Sequence, residues 1–97
     1  MRFDWNLAKS ERNCQERGFG FDLAILIFGG DTVERPDDRQ DYGERRVRAI
    51  GEVNGVVLHI VFTDRGDVRR INSARVANKR ERNQWHASRW YLLNPGR

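Results

Sequence analysis

Two apolar runs, "RVRAIGEV" and "VVLHIVFT", meet at Asn54-Gly55. Asn-Gly is the favoured pair for a two-residue type I′ hairpin turn, because both residues tolerate positive φ. A turn that short leaves the flanking strands one register: Val53 faces Val56, and Ile50 faces His59 two steps further out. Side chains then alternate between the two faces of the pair. One face carries Val47, Ala49, Val53, Val56, Leu58, Ile60 and Phe62 and is expected to meet the core. The other carries Arg46, Arg48, Ile50 and Glu52 opposite Thr63, Val61, His59 and Val57. It is apolar enough to be partly covered and charged enough to meet a polar partner.

The rest of the chain must pack around that hairpin. Residues 2–5 predict a short strand leading into a helix over Leu7 to Arg17, with Asn6 as N-cap and Gly18 as the left-handed C-cap. The run "FDLAILIF", residues 21–28, predicts a buried second helix, with a strand as the competing reading; Gly29 and Gly30 end it. Residues 31–45 predict a short edge strand and a polar loop, since Pro36 cannot donate to a ladder and Asp37-Asp38 favours a turn. After the hairpin, the "TDRGD" turn leads into a strand from Val68 to about Ala74. Asn78, with Glu81 three residues on, has the shape of a capping box, so a last helix should begin there. The predicted architecture is an α+β domain: two N-terminal helices, a small antiparallel meander and a C-terminal helix.

Ninety-seven residues suit a single domain. The one cysteine, Cys14, allows no internal disulfide. The N-terminus lacks the apolar core of a secretion signal, and no run approaches the ~20 apolar residues of a membrane helix, so a soluble, cytoplasmic protein is expected. The net charge of +4 divides unevenly. Residues 1–44 hold 6 Lys/Arg against 10 Asp/Glu, a balance of −4, whereas residues 45–97 hold 12 against 4, a balance of +8. Lys79 is the only lysine of the basic part. The planar fork of arginine suits bidentate contacts to phosphate; a plain compositional preference for arginine over lysine would look the same. One cysteine and two distant histidines give no zinc-ligand spacing, and "GFGF" lacks the lysine and preceding strand of a phosphate loop. Neither metal nor cofactor is expected.

Five stretches in order, "FDWNLAKSERN", "FGFDLAILIF", "DYGERR", "FTDRG" and "RINSARVANKRER", resemble the BrnT family of ribonuclease toxins from type II toxin–antitoxin systems. Together they span Phe3 to Arg82; the most specific is Arg70 to Arg82, where the family reads like R-I-I-S-A-R-x-A-x-x-x-E-R. The resemblance implies a RelE-like fold and a metal-independent endoribonuclease that inhibits translation. It also implies a cognate BrnA-like antitoxin, in a heterotetramer that binds operator DNA through the antitoxin. Two positions depart from the family. A basic residue and a histidine usually precede the glycine that closes the first helix; here Glu16 and Arg17 precede Gly18, and an arginine cannot act as a base near neutral pH. Asn6 stands where aspartate is usual, and both residues cap helices.

RNA cleavage without a metal requires deprotonation of the 2′-OH, stabilisation of the phosphorane and protonation of the leaving 5′-oxygen. The catalytic candidates are Arg65 in the "DRGD" turn, Arg75, Glu44 and His59. Each also has a structural reading: a solvated turn residue for Arg65, a partner of Glu81 for Arg75, a salt-bridge partner of Arg45 and Arg46 for Glu44, a packed strand histidine for His59. Candidate RNA-binding residues are Lys9, Arg46, Arg48 and Arg70, and Lys9 shares a helix face with Asn13. On a regular strand Arg70 and Arg75 would point to opposite faces, unless a bulge near Ser73 brings them together. A nucleic-acid-binding module without chemistry and a domain that only meets an acidic protein partner remain as alternatives.

Overall fold

The computed structural model describes residues 1–93, with side chains through residue 90. The Asn54-Gly55 turn forms with φ of 50° and 82°. Val53 faces Val56 and Ile50 faces His59, so the hairpin has the register its turn demands. The elements are β1 (Arg2–Trp5), α1 (Leu7–Arg17), α2 (Phe21–Ala24) continuing as a 3₁₀ turn over Ile25–Gly29, β2 (Val33–Pro36), β3 (Val47–Val53), β4 (Val56–Arg65), β5 (Val68–Val76) and α3 (Lys79–Leu93).

The five strands make one sheet in the order β1-β5-β4-β3-β2. β2 to β5 form the expected antiparallel meander. The sheet as a whole is mixed, however, because β1 joins the outer edge of β5 in parallel, Arg2 opposite Val68 through Trp5 opposite Ile71. Four residues carry no signal of partner or direction, so a purely antiparallel sheet was the wrong expectation here. β1 stops at Trp5, and beyond it Arg17 Nη1 donates to the carbonyl of Ala74 at 2.9 Å, satisfying an acceptor further along β5.

The helical layer is pinned by its own polar residues. Asn6 Oδ1 accepts from the Lys9 N–H at 3.0 Å, and Gly18, at φ 86°, returns its N–H to the Cys14 carbonyl. Buried Ser10 accepts from the Phe21 N–H, and Asn13 donates to the Phe19 carbonyl, fixing α2 against α1. Phe21, Ala24 and Ile27 then pack on Ala49, Leu58, Ile60, Phe62, Ile71 and Ala74. Gly51 lets the 3₁₀ turn approach: a Cβ there would lie 2.7 Å from Ile27 Cβ. Val56, expected in the core, is 45% exposed, because it lies beside the turn at the hairpin tip, outside the packed cluster.

α3 partly covers the opposite face, where Trp85 packs on Ile50, Val57 and Ala77. Its indole N–H donates to Glu52 at 3.2 Å, and Arg89 reaches Asp31 at 2.7 Å. On β5 the register shifts between Ser73, opposite Val61, and Ile71, opposite Phe62, leaving Asn72 as the extra residue of a bulge.

Leu58→Ala should cost ~2–5 kcal/mol in urea denaturation, the usual range for a buried leucine. Gly51→Ala should cost ~1–3 kcal/mol by overpacking against Ile27; wild-type stability in either variant would mean that the two layers do not meet as described.

Candidate nucleic-acid interface

The bulge decides the composition of the α3 face. With Asn72 as the extra residue, Arg70 lies opposite Thr63 and Arg75 opposite His59, so both arginines fall on the face of Thr63 and His59. Arg48 joins them from β3, opposite Val61, and Arg35 from β2, opposite Arg48. The core face is apolar apart from the Arg69–Asp64 pair near the β4–β5 turn. This one is lined with guanidinium groups.

Where α3 starts, it walls a groove of about 620 Å³ over Val33, Ile50 and His59, with Arg35, Arg48, Arg75 and Arg80 around it. Glu81 sits at the centre. Its two oxygens accept from Arg75 Nη1 and Nη2 at 2.7 and 2.9 Å, a bidentate pair. The same carboxylate accepts from the Asn78 N–H at 2.9 Å while Asn78 Oδ1 accepts from the Glu81 N–H, closing the predicted capping box. Glu81 Oε2 is also 3.5 Å from His59 Nε2. Burial alone would raise the Glu81 pKa, but Arg75, the Asn78 N–H and His59 outweigh it and hold it at about 2. His59 is 4% exposed; burial first, then Arg75, push its pKa below the ordinary 6.5, with Glu81 opposing. Among the described residues Arg48 Nε, which is buried, has no hydrogen-bond partner.

A second set of charges occupies the far end of the same face. Arg65 Nη2 donates to Glu44 at 2.9 Å, and Arg46 Nε lies 3.9 Å from the same carboxylate. The Arg65 hydrogen bond pulls the Glu44 pKa below its ordinary value. Arg46 stacks over the Tyr42 ring at 4.1 Å, and Arg70 stands 3.4 Å from Asp4. Between the two ends, the Asn72 amide donates to buried Thr63 at 3.0 Å.

The sequence candidates therefore fall into two groups. Arg75, His59 and Arg48 meet at the groove. Arg65, with Glu44 on it, lies at the other end, six residues of β4 away, or ~20 Å at the strand rise; Arg70, opposite Thr63, and Arg46 stand four residues or ~13 Å away. Arg65 is the last residue of β4 rather than part of the turn. Lys9 is exposed, whereas Asn13 is buried and structural. Arg35 and Arg80 were missed: nothing in "TVERP" gives the register of β2, and Arg80 shows itself only once the helix start is oriented. Among the described residues, no three of His, Cys, Asp and Glu gather as a metal site would require.

A small α+β domain with one apolar and one arginine-lined sheet face belongs to the class of basic domains shaped for polyanions. Residues 5–81 match the family described as the ribonuclease toxin BrnT of type II toxin–antitoxin systems, and the chain belongs to that family. The match reaches from β1 to the capping Glu81 and so includes both ends of the charged face. No protein with a curated description matches the chain.

His59 and Glu81 both bind protons more weakly in the folded state, so acid should destabilise the protein in two windows. The contribution of neutral His59 is complete above its unfolded pKa near 6.5 and is lost as pH falls through its lowered folded value. That of Glu81 is complete above 4.5 and lost toward about 2. In thermal melts followed by circular dichroism, Tm should drop in both windows, and His59→Gln should abolish the first drop. A Tm that rises on acidification from neutral pH would contradict the burial of His59.

Proposed function

We propose that this protein is a metal-independent endoribonuclease that cleaves RNA at the groove beside the start of α3 and so blocks translation in the cytoplasm. The observation that carries this reading is Arg75, held in a bidentate grip by Glu81, in a groove where three further arginines stand around that single carboxylate. A guanidinium fixed before the substrate arrives needs no reorganisation as charge builds on the phosphorane. Arg48, with its orphaned Nε, is the second donor. His59, kept neutral by burial, is the base nearest the groove. In this scheme the 2′-oxygen gives its proton to His59 and attacks the adjacent phosphorus. The bond to the 5′-oxygen breaks, and protonation of that oxygen completes a cyclic phosphate and a 5′-hydroxyl end. Glu81, 3.5 Å from His59, offsets the imidazolium charge. Lys9, Arg46, Arg65 and Arg70 hold the RNA beyond the groove, with Glu44 orienting Arg65.

The same face suits masking by an acidic segment of a BrnA-like antitoxin, which would bury arginines otherwise open to RNA. Operator binding by a heterotetramer would then be a property of the antitoxin. The slight exposure of His59 favours one competing reading, a domain that binds RNA without cutting it. Incubation of the purified protein with RNA in EDTA separates the two: cleavage supports the nuclease, and a salt-sensitive gel shift without cleavage supports the binder.

Arg75→Ala should lower cleavage ~10²–10³-fold, the scale of one preorganised donor, and Arg75→Lys should restore little of it. Wild-type cleavage by a folded Arg75→Ala variant would make this corner structural only.

A further inference from the structure

The charged face has a repeat. Side chains on one face of β4 and its neighbours recur every two residues, ~6.6 Å at the strand rise. On the first rung Arg75 lies opposite His59. On the second, Arg48 lies opposite Val61. On the third, Arg70 lies opposite Thr63 and Arg46 stands two residues before Arg48. Lys9 on α1 stands within electrostatic reach of Arg46 and Arg70, so cations from three separate parts of the chain act on this rung. Partial burial and then Arg46, Arg70 and Arg12 disfavour the charge on Lys9, which has no ion pair of its own among the described residues, while Arg70 has Asp4 at 3.4 Å. Glu44 gives its short contact to Arg65, leaving Arg46 at 3.9 Å. Arg46 Nε and Arg48 Nε are the buried side-chain donors without a partner among the described residues, one on each of two adjacent rungs. A buried donor that protein atoms leave unmatched can take an acceptor from outside the chain, whether water or an anionic ligand.

We propose that the Lys9–Arg46–Arg70 rung is a second phosphate subsite, and that the substrate is single-stranded RNA lying extended over the cations that flank β4, with one phosphate to each two-residue rung. This rests on the ribonuclease reading above and adds to it a substrate conformation and a minimum length. The ~6.6 Å repeat is close to the separation of successive phosphates along one strand, and the rungs follow a single β-strand, whereas a strand in a duplex winds away around its axis, so the ladder fits an extended single strand better than a duplex. Arg75 and the new subsite are two rungs apart, ~13 Å, which sets a span of about four nucleotides.

The test is equilibrium binding of fluorescent 2′-deoxy oligonucleotides of two, three, four and six residues, which cannot be cleaved through a 2′-hydroxyl. For the wild type, affinity should climb with length and level off at about four residues, and a duplex of the same sequence should bind more weakly than the single strand. In Lys9→Ala/Arg70→Ala the climb should flatten, with ~10–100-fold weaker binding of the six-residue strand and a shallower salt dependence. Lys9→Gln, at an exposed side chain, should show part of the same loss and serves if the double variant does not fold. Unchanged length dependence in the folded variants, or equal binding of duplex and single strand, overturns the proposal. Tight binding of hexaglutamate without length dependence for nucleotides also overturns it and assigns the rung to an acidic protein partner. Length-dependent binding without RNA cleavage by the wild type would keep the subsite and remove the nuclease reading.

Discussion

A two-residue turn permits β3 and β4 a single register, and everything on the charged face follows from it. A slip of one residue would turn one strand over against the other, either putting Leu58, Ile60 and Phe62 on the outer side or driving Arg46 and Arg48 under α2. The cost of burying unpaired guanidiniums makes that alternative inaccessible. The Asn72 bulge extends the constraint to β5. Without the extra residue, Arg70 would leave the side of Arg75 and the face would lose a cation. The bulge therefore does for β5 what the tight turn does for the hairpin: it selects which residues share a surface.

Glu81 couples that surface to the rest of the fold. One carboxylate caps α3, grips Arg75 and stands against His59. The start of α3 is thereby tied to the centre of the sheet, and Trp85, one turn on, packs into the apolar patch beside the groove. Cap and grip share Oε1 of this carboxylate, so the position of Arg75 depends on the helix being formed. Loss of Glu81 would free Arg75 and unsatisfy the helix start together, which places the cap of α3 and the position of Arg75 on a single side chain.

The sequence was most legible where a local rule has one solution. Asn54-Gly55, the Asn6 and Gly18 caps and the Asn78/Glu81 box each dictate geometry within a few residues, and each is found. It was least legible where a partner lies far along the chain. The parallel seat of β1 depends on which sheet edge is left open, a property of the whole meander. The distance between Arg65 and Arg75 depends on the run of β4, so candidates that read as one catalytic set are split between two ends. Arg35 enters the groove only because β2 pairs Arg35 with Arg48, and no residue in β2 announces that pairing.

The charge balance along the face has a consistent logic. Each end holds carboxylate, but too little: Glu81 stands among the arginines of the groove, and Glu44 and Asp4 stand among Arg46, Arg65, Arg70 and Lys9. Full neutralisation would leave nothing for a polyanion to do, and none at all would set several like charges against one another in a domain of 97 residues. Partial neutralisation holds the guanidiniums in place and still leaves donors such as Arg46 Nε and Arg48 Nε unmatched. The remaining repulsion is borne by the opposite face, where Phe21, Ile27, Leu58, Ile60 and Phe62 close an apolar core, with Arg69 stacked over the Phe62 ring at its edge. That division of labour, cohesion on one side of the sheet and tolerated repulsion on the other, lets so small a domain hold an open cationic face in readiness for an anion.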